Sequence, residues 1–169
     1  MLNLRFVQTF IIVVLGVAII TSHFLTQTRD YNDANTSLHL LNQELDVSIM
    51  YMKLSKYAST PTFEIGAKTN LSFATGELMV LPTYLDHVGI PDSTDLEVIM
   101  ESLVDAMPPN GAPGNPITER VTRDWVIHLE NILNTPDPVA SLRVHAKNLV
   151  QLFNSYGSIP GVFIMMNVK

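Results

Sequence analysis

The stretch Phe6-Val-Gln-Thr-Phe-Ile-Ile-Val-Val-Leu-Gly-Val-Ala-Ile-Ile-Thr-Ser-His-Phe-Leu25, continued by Thr-Gln-Thr28, decides the architecture of this chain. Between Arg5 and Arg29 the sequence holds one ionisable residue, His23. The 23 residues of this segment match the roughly 20 that a helix needs to cross a bilayer. We therefore expect residues 1–28 to form a transmembrane signal anchor and residues 29–169 to form one domain outside the membrane.

A cleaved secretory signal is the alternative interpretation of the N-terminal segment. Gly16-Val17-Ala18 offers small residues at the −3 and −1 positions of a cleavage site. The apolar run continues past that site to Leu25, as a retained anchor requires. In an anchor, Gly16 and Ala18 form a small-residue patch that lets another helix approach closely, so we expect them to contact a partner subunit.

The distribution of basic residues gives a weak orientation signal. The α-amine and Arg5 precede the segment, whereas Arg29 follows it together with Asp30 and Asp33. A short N-terminal tail before a large C-terminal domain is the usual arrangement of an anchor whose N-terminus is cytoplasmic. We expect the domain to lie outside the cytoplasm, in the periplasm if the host is Gram-negative.

The composition excludes several functional classes. Of the 169 residues, 10 are Lys or Arg and 16 are Asp or Glu, giving a net charge of −6. The acidic excess argues against nucleic acid as a partner, because phosphate binding needs clustered basic residues. The chain has no cysteine, which excludes a disulfide scaffold, a thiol nucleophile and Cys-ligated zinc or iron–sulfur centres.

The rest of the chain reads as mainly α. Leu38, Leu41, Leu45, Ile49 and Met52 form one helical stripe that ends near residue 59. A break or restart is expected near residues 33–36, where the sequence is poor in helix formers. We find no heptad pattern long enough for a coiled coil. Residues 71–81 suit a short helix ended by Pro82, with a further turn over 83–88.

Three later helices are marked by their starting residues. Thr94 with Glu97 forms a capping box that opens a helix through Ala106. The loop 108–116 holds four prolines and two glycines, and Pro116 then begins a helix. The inward face of that helix is expected to carry Val121, Trp125, Leu129, Ile132 and Leu133. Asp137-Pro138 starts the last helix, whose expected core residues are Leu142, Ala146, Leu149, Val150 and Phe153.

Two features suggest contact surfaces. Between Lys68 and Arg120 there are eight acidic residues and no basic one. Within this block Glu97, Glu101 and Asp105 recur at i, i+4 and i+8, either as a solvated helix face or as a surface for a cationic partner. The tail Val162-Phe163-Ile164-Met165-Met166 is the second feature. It is either a strand packed on its own domain or a docking segment for a partner.

Chemical sites have little support in the sequence. Asp92, Asp95 and Glu97 are close together, but helix capping explains the last two without calcium. No His-x₃-His pair supports zinc, and Met50 with Met52 or Met165 with Met166 are more typical of a core than of copper ligation. The acid–base candidates are isolated pairs, Asp86–His87 and His128–Glu130. We expect no catalytic residue, no metal and no cofactor, and the protein is expected not to be an enzyme.

An anchor followed by a helical outer domain is similar to the first half of a single-pass bacterial sensor. Such a sensor also needs a second span and a cytoplasmic output domain, which we do not find in these residues. The leading hypothesis is therefore an accessory or structural subunit of a membrane assembly, such as an envelope or virion protein, acting by protein–protein contact. A membrane-anchored sensory or regulatory ligand-binding module is the alternative, and an envelope enzyme is third.

Overall fold

A computed structural model describes residues 4–58, 60–87 and 116–137, together with residues 101, 104, 141, 144, 145 and 148. Three helices account for most of these residues: α1 spans Leu4–Ser55, α2 spans Pro61–His87 and α3 spans Pro116–Leu133. The described part of the chain is all-helical, as the sequence predicts. The C-terminal strand that we considered for the tail falls outside the described residues.

Helix α1 continues without interruption for 52 residues, so the predicted break near residues 33–36 is wrong. The polar side chains of this region stabilise the helix instead of ending it. The Thr36 hydroxyl donates to the Asn32 carbonyl, and Arg29 pairs with Asp33 one turn away. Ala34 and Leu38 are fully buried against the neighbouring helices, and this packing outweighs the low helix propensity of the stretch.

Helices α1 and α2 form an antiparallel hairpin with heptad-spaced contact positions. Six buried positions of α1 follow alternating steps of four and three residues, and we call them the inner row: Ala34, Leu38, Leu41, Leu45, Ser48 and Met52. Asp30, Ser37 and Ile49 are buried beside this row. The buried residues of α2 follow the same spacing: Glu64, Ala67, Leu71, Ala74, Leu78, Leu81 and Leu85. The two rows therefore have the spacing of a short heptad repeat, within residues 34–52 of α1 and 64–85 of α2.

The hairpin has a short turn and paired ends. Helix α1 ends at Ser55, four residues before the predicted end, where the Ser55 hydroxyl donates to the Met52 carbonyl. Across the hairpin, the buried Ser48 hydroxyl donates to the Ala67 carbonyl at 3.0 Å. At the opposite end, His87 Nδ1 lies 2.8 Å from Asp30 Oδ2. From residue 30 to residue 56 the bundle is about 39 Å long at 1.5 Å per residue.

Helix α2 is one helix of 27 residues, so the predicted short helix over 71–81 and its separate turn are wrong. Pro82 lies inside the helix and cannot donate to the carbonyl of Leu78. Leu81 and Leu85, on either side of the proline, are both fully buried. Burial of Leu81 and Leu85 on both sides of Pro82 holds the helix together despite the lost hydrogen bond.

Helix α3 begins at Pro116, as predicted, and it packs along α1. Its buried face contains Val121, Trp125, Leu129 and Ile132, and Trp125 is the largest fully buried side chain. Beyond α3, the Ser141 amide donates to the Asp137 carbonyl, as expected where Asp137 caps a new helix. The capping box at Thr94, most of the 108–116 loop and the predicted core residues between 142 and 153 lie outside the described residues.

Candidate functional site

The N-terminal segment presents a lipid-like surface along its whole length. An 18-residue window of this part of α1 has a mean hydropathy of 2.2, and none of it is buried by the rest of the chain. Phe10, Ile12 and Ile20 are each more than 60% exposed. Exposure of such side chains to water is unfavourable. This half of α1 is also long and apolar enough to cross a membrane.

Gly16 and Ala18 lie in the middle of this segment. A Cβ built at Gly16 meets no atom within 4 Å, so the glycine does not serve packing within the chain. The hydroxyls of Thr26 and Thr28 donate to carbonyls four residues earlier, which satisfies them without water. The segment therefore has a smooth, internally hydrogen-bonded surface with space for a neighbouring helix at Gly16.

The side of α2 that faces away from α1 carries large apolar side chains in contact with solvent. Phe73 is 59% exposed, Met79 is 61% exposed and Val80 is 47% exposed. Beside them lies a groove of about 400 Å³, lined by Ser72, Thr75, Gly76, Met79, Glu101 and Val104. We call this surface, with its groove, the α2 face. The exposed Glu101 brings one predicted contact residue from the acidic block to the groove; Glu97 and Asp105 lie outside the described residues.

The end of the bundle beside the α1–α2 turn is held by a charged cluster. Glu119, buried in the first turn of α3, accepts a hydrogen bond from Lys56 and one from Arg123, the latter at 2.6 Å. A carboxylate in the first turn of a helix is also stabilised by the helix dipole. This cluster fixes α3 to the end of α1 and leaves no free charge on Glu119, so we regard it as structural.

Glu64 is the one buried acidic residue in the described part of the chain whose two carboxylate oxygens both lack a hydrogen-bond partner. The side chain is 4% exposed and takes a core position of α2 opposite the end of the α1 inner row. A buried polar group without a partner costs roughly 1–3 kcal/mol. Glu64 therefore lowers the stability of the folded bundle.

Histidines from two parts of the chain meet in the bundle. The rings of His128 and His145 lie 5.8 Å apart, and the Nδ1 atoms of both are buried without a partner. Burial lowers the pKa of His128, the neighbouring His145 lowers it further, and Asp124 opposes them. The predicted acid–base pair His128–Glu130 is not what the structure brings together.

Asp86–His87, the other predicted acid–base pair, is also replaced. His87 pairs with Asp30 and thereby ties α2 to α1 instead. Within the residues that the structure describes, no group of three or more His, Asp or Glu side chains is arranged to hold a metal ion. Of the methionines considered for copper, Met52 is buried in the core and Met50 points outward.

The tail residues Val162, Phe163, Ile164, Met165 and Met166 lie outside the described part of the chain, as do Asp92 and Asp95. Sequence reasoning missed the α2 face, although Phe73 and Val80 are seven residues apart and mark it.

Comparison with family models, curated proteins and solved structures finds no match to this chain.

Proposed function

We propose that this protein is a single-pass membrane protein that works as an accessory or structural subunit, binding other proteins through its extracytoplasmic bundle. In this proposal the N-terminus lies in the cytoplasm and the bundle lies outside, which is the periplasm if the host is Gram-negative. The observation that carries the proposal is the α2 face, where three large apolar side chains remain in water beside a groove. Exposed apolar surface of this kind is typical of protein interfaces.

The chemistry of the α2 face favours a particular kind of partner. Phe73, Met79 and Val80 offer apolar contact area, and Glu101 at the groove adds a negative charge. A partner segment with an apolar side chain for the groove and a nearby Lys or Arg complements both features. Helix α1 continues from the N-terminal segment into the core, so it holds this surface at a fixed distance from the bilayer.

The test is affinity purification of the full chain from its native membrane in mild detergent, comparing Phe73→Asp with Ile127→Asp. Both residues are exposed apolar side chains, on α2 and α3 respectively, so the two variants add the same charge to different surfaces. We expect Phe73→Asp to lose co-purifying subunits by at least tenfold and Ile127→Asp to retain them. Equal recovery in both variants would remove the α2 face from the proposal.

Topology is tested separately with a reporter that is active only in the cytoplasm, fused after Lys169. We expect the fusion to be silent, because the C-terminal domain is placed outside. Strong activity would overturn the orientation and the localisation together.

A sensory or regulatory module is the second candidate, and Glu64 favours it. A buried carboxylate without a partner can receive a cationic ligand such as an amine, and α1 connects its surroundings directly to the N-terminal segment. Thermal unfolding of the full chain with and without a panel of small amines discriminates the two. A sensor gains stability with one amine, and the gain is lost in Glu64→Gln; an accessory subunit gains none.

A further inference from the structure

Helix α1 carries a second heptad-spaced row on the face opposite its inner row. We call it the outer row: Thr36, Leu40, Gln43, Val47, Met50 and Leu54. It repeats the alternating steps of four and three residues found in the inner row, and none of its members is charged. Leu40 is 41% exposed, Met50 is 49% exposed and Leu54 is 39% exposed. The described part of the chain therefore leaves this face largely uncovered.

Spacing and charge indicate that the outer row packs against another helix. A repeat of 3.5 residues keeps apolar side chains on one seam, which is useful only when a second helix lies along that seam. The row spans 19 residues, or about 27 Å of helix. Charged residues lie on both sides of the row, at Glu44, Asp46 and Lys53, and stop at its edges. This uncharged seam, in which four of six residues are apolar, has charged flanks as a coiled-coil surface does.

We propose that the outer row is a dimer interface in which α1 packs in parallel against α1 of a second copy. The parallel direction rests on the proposed membrane anchoring, because two anchored copies enter the bundle from the same side. Each outer-row residue then meets its own counterpart across a twofold axis. In this register His39, on one flank, lies opposite Glu44 on the facing flank of the second copy, where an imidazole N–H can donate to the carboxylate at the edge of the seam.

The N-terminal segment is compatible with the same axis. Counting back by heptads from Thr36 and Leu40 leads to Leu15 and Ile19, with Gly16 and Ala18 on the two flanks. Small residues beside such a seam let two helices approach closely in a bilayer. Arg29 and Asp33 interrupt the row between the two regions, where they pair within one chain at 3.6 Å. The proposed bundle contact is therefore limited to residues 36–54.

Cysteine crosslinking tests the proposal directly, since the chain has no cysteine of its own. The variants Leu40→Cys, Val47→Cys and Leu54→Cys each place one thiol on the outer row, and Ile127→Cys places one at an exposed site on α3 that is at least as accessible. The full-length variants are reconstituted in lipid vesicles at high lipid dilution and oxidised. We expect disulfide-linked dimers from all three outer-row variants at least tenfold faster than from Ile127→Cys.

Other crosslinking results overturn the proposal. Rates equal to the Ile127→Cys rate at all three positions mean that the outer row has no second copy against it, and that another protein or solvent covers it. Rapid crosslinking at Val47→Cys alone, with none at Leu40→Cys and Leu54→Cys, indicates an antiparallel pair and refutes the parallel arrangement. None of these outcomes depends on the α2 face, so the subunit proposal and the dimer proposal fail independently.

A second variant separates association from folding. Leu40→Asp combined with Leu54→Asp places charges on the outer row without touching the inner row. We expect the doubly substituted full chain to sediment as a monomer in mild detergent while its helix content and Trp125 fluorescence stay unchanged. A doubly substituted chain that remains dimeric, or a native chain that is monomeric under the same conditions, overturns the proposal.

Discussion

The two interior glycines of α2 allow a matched test of how closely α1 and α2 pack. A glycine inside a helix is about 0.8–1.0 kcal/mol less favourable than alanine. A Cβ at Gly76 meets nothing within 4 Å, so Gly76→Ala gains the full propensity term. We expect Gly76→Ala to raise the free energy of unfolding by about 1 kcal/mol, which corresponds to a Tm increase of roughly 4 °C for a domain of this size.

Gly66→Ala gains the same propensity term but meets α1. Its Cβ would lie 3.0 Å from Cδ1 and Cε1 of Tyr51 and 3.1 Å from Cγ, closer than ordinary carbon contacts. The ring cannot move away freely, because it packs against Phe63 with ring centroids 6.3 Å apart. Overpacking of this kind costs about 1–3 kcal/mol. The sum of the two terms is a loss of about 0–2 kcal/mol, so the two glycine variants should differ by about 1–3 kcal/mol.

Urea unfolding of the full chain in mild non-ionic detergent measures this difference. Trp125 is the one tryptophan in the sequence and is fully buried, so its fluorescence reports unfolding of the bundle. In a Tyr51→Ala background, Gly66→Ala should show most of the propensity gain relative to Tyr51→Ala alone, because the close contact is then absent. If Gly66→Ala stabilises the protein as much as Gly76→Ala, the close α1–α2 packing on which the fold description rests is refuted.

Three further substitutions probe the core, the histidine pair and the helix interior. Leu45→Ala, at a fully buried inner-row position, should lower the free energy of unfolding by about 2–5 kcal/mol in the same urea assay. Because the pKa of His128 is lowered by burial and by His145, the folded state favours the neutral ring. This contribution to the free energy of unfolding is complete above the unfolded pKa of about 6.5. It is lost as the pH falls through the lower pKa of the folded state. Urea midpoints measured across that pH range should show the loss in the native chain and not in His128→Asn. Pro82→Ala restores a donor for the Leu78 carbonyl and should raise the Tm in a circular dichroism melt; a lower Tm would show that the proline ring itself contributes to packing.

The sequence predicts the α3 face well because its apolar residues keep a regular helical spacing. Val121, Trp125 and Leu129 are buried as expected, and Pro116 begins the helix. Prediction from the sequence fails where the local helix preference of a segment competes with its packing in the bundle. Polar residues before Leu38 and Pro82 in α2 both indicate helix ends when read alone, yet buried residues on each side keep the helices intact.

The candidate contact surfaces were harder to predict for a different physical reason. Exposure is a property of the assembled bundle, and a sequence shows apolar spacing without showing which of two faces is covered. Met50 and Met52 illustrate this: both read as core residues, but Met52 belongs to the inner row and Met50 to the outer row. The α2 face has the same ambiguity, because Phe73 becomes a surface residue only once the buried row has been assigned to Leu71 and Ala74.

The inner row and the outer row of α1 lie on opposite faces of the helix and have different roles. The inner row holds the fold, since Leu38, Leu41 and Leu45 are completely buried against the rest of the bundle. The outer row contributes less to the fold of one chain, because Leu40 and Leu54 remain partly accessible. Charged residues at such exposed positions cost little in folding and improve solubility. Uncharged residues at all six outer-row positions, beside charged flanks, are therefore best explained by a contact that forms only after the bundle has folded. The unbroken helix then links that contact to the N-terminal segment, so a change in the spacing of two bundles would be transmitted along α1 without a flexible joint.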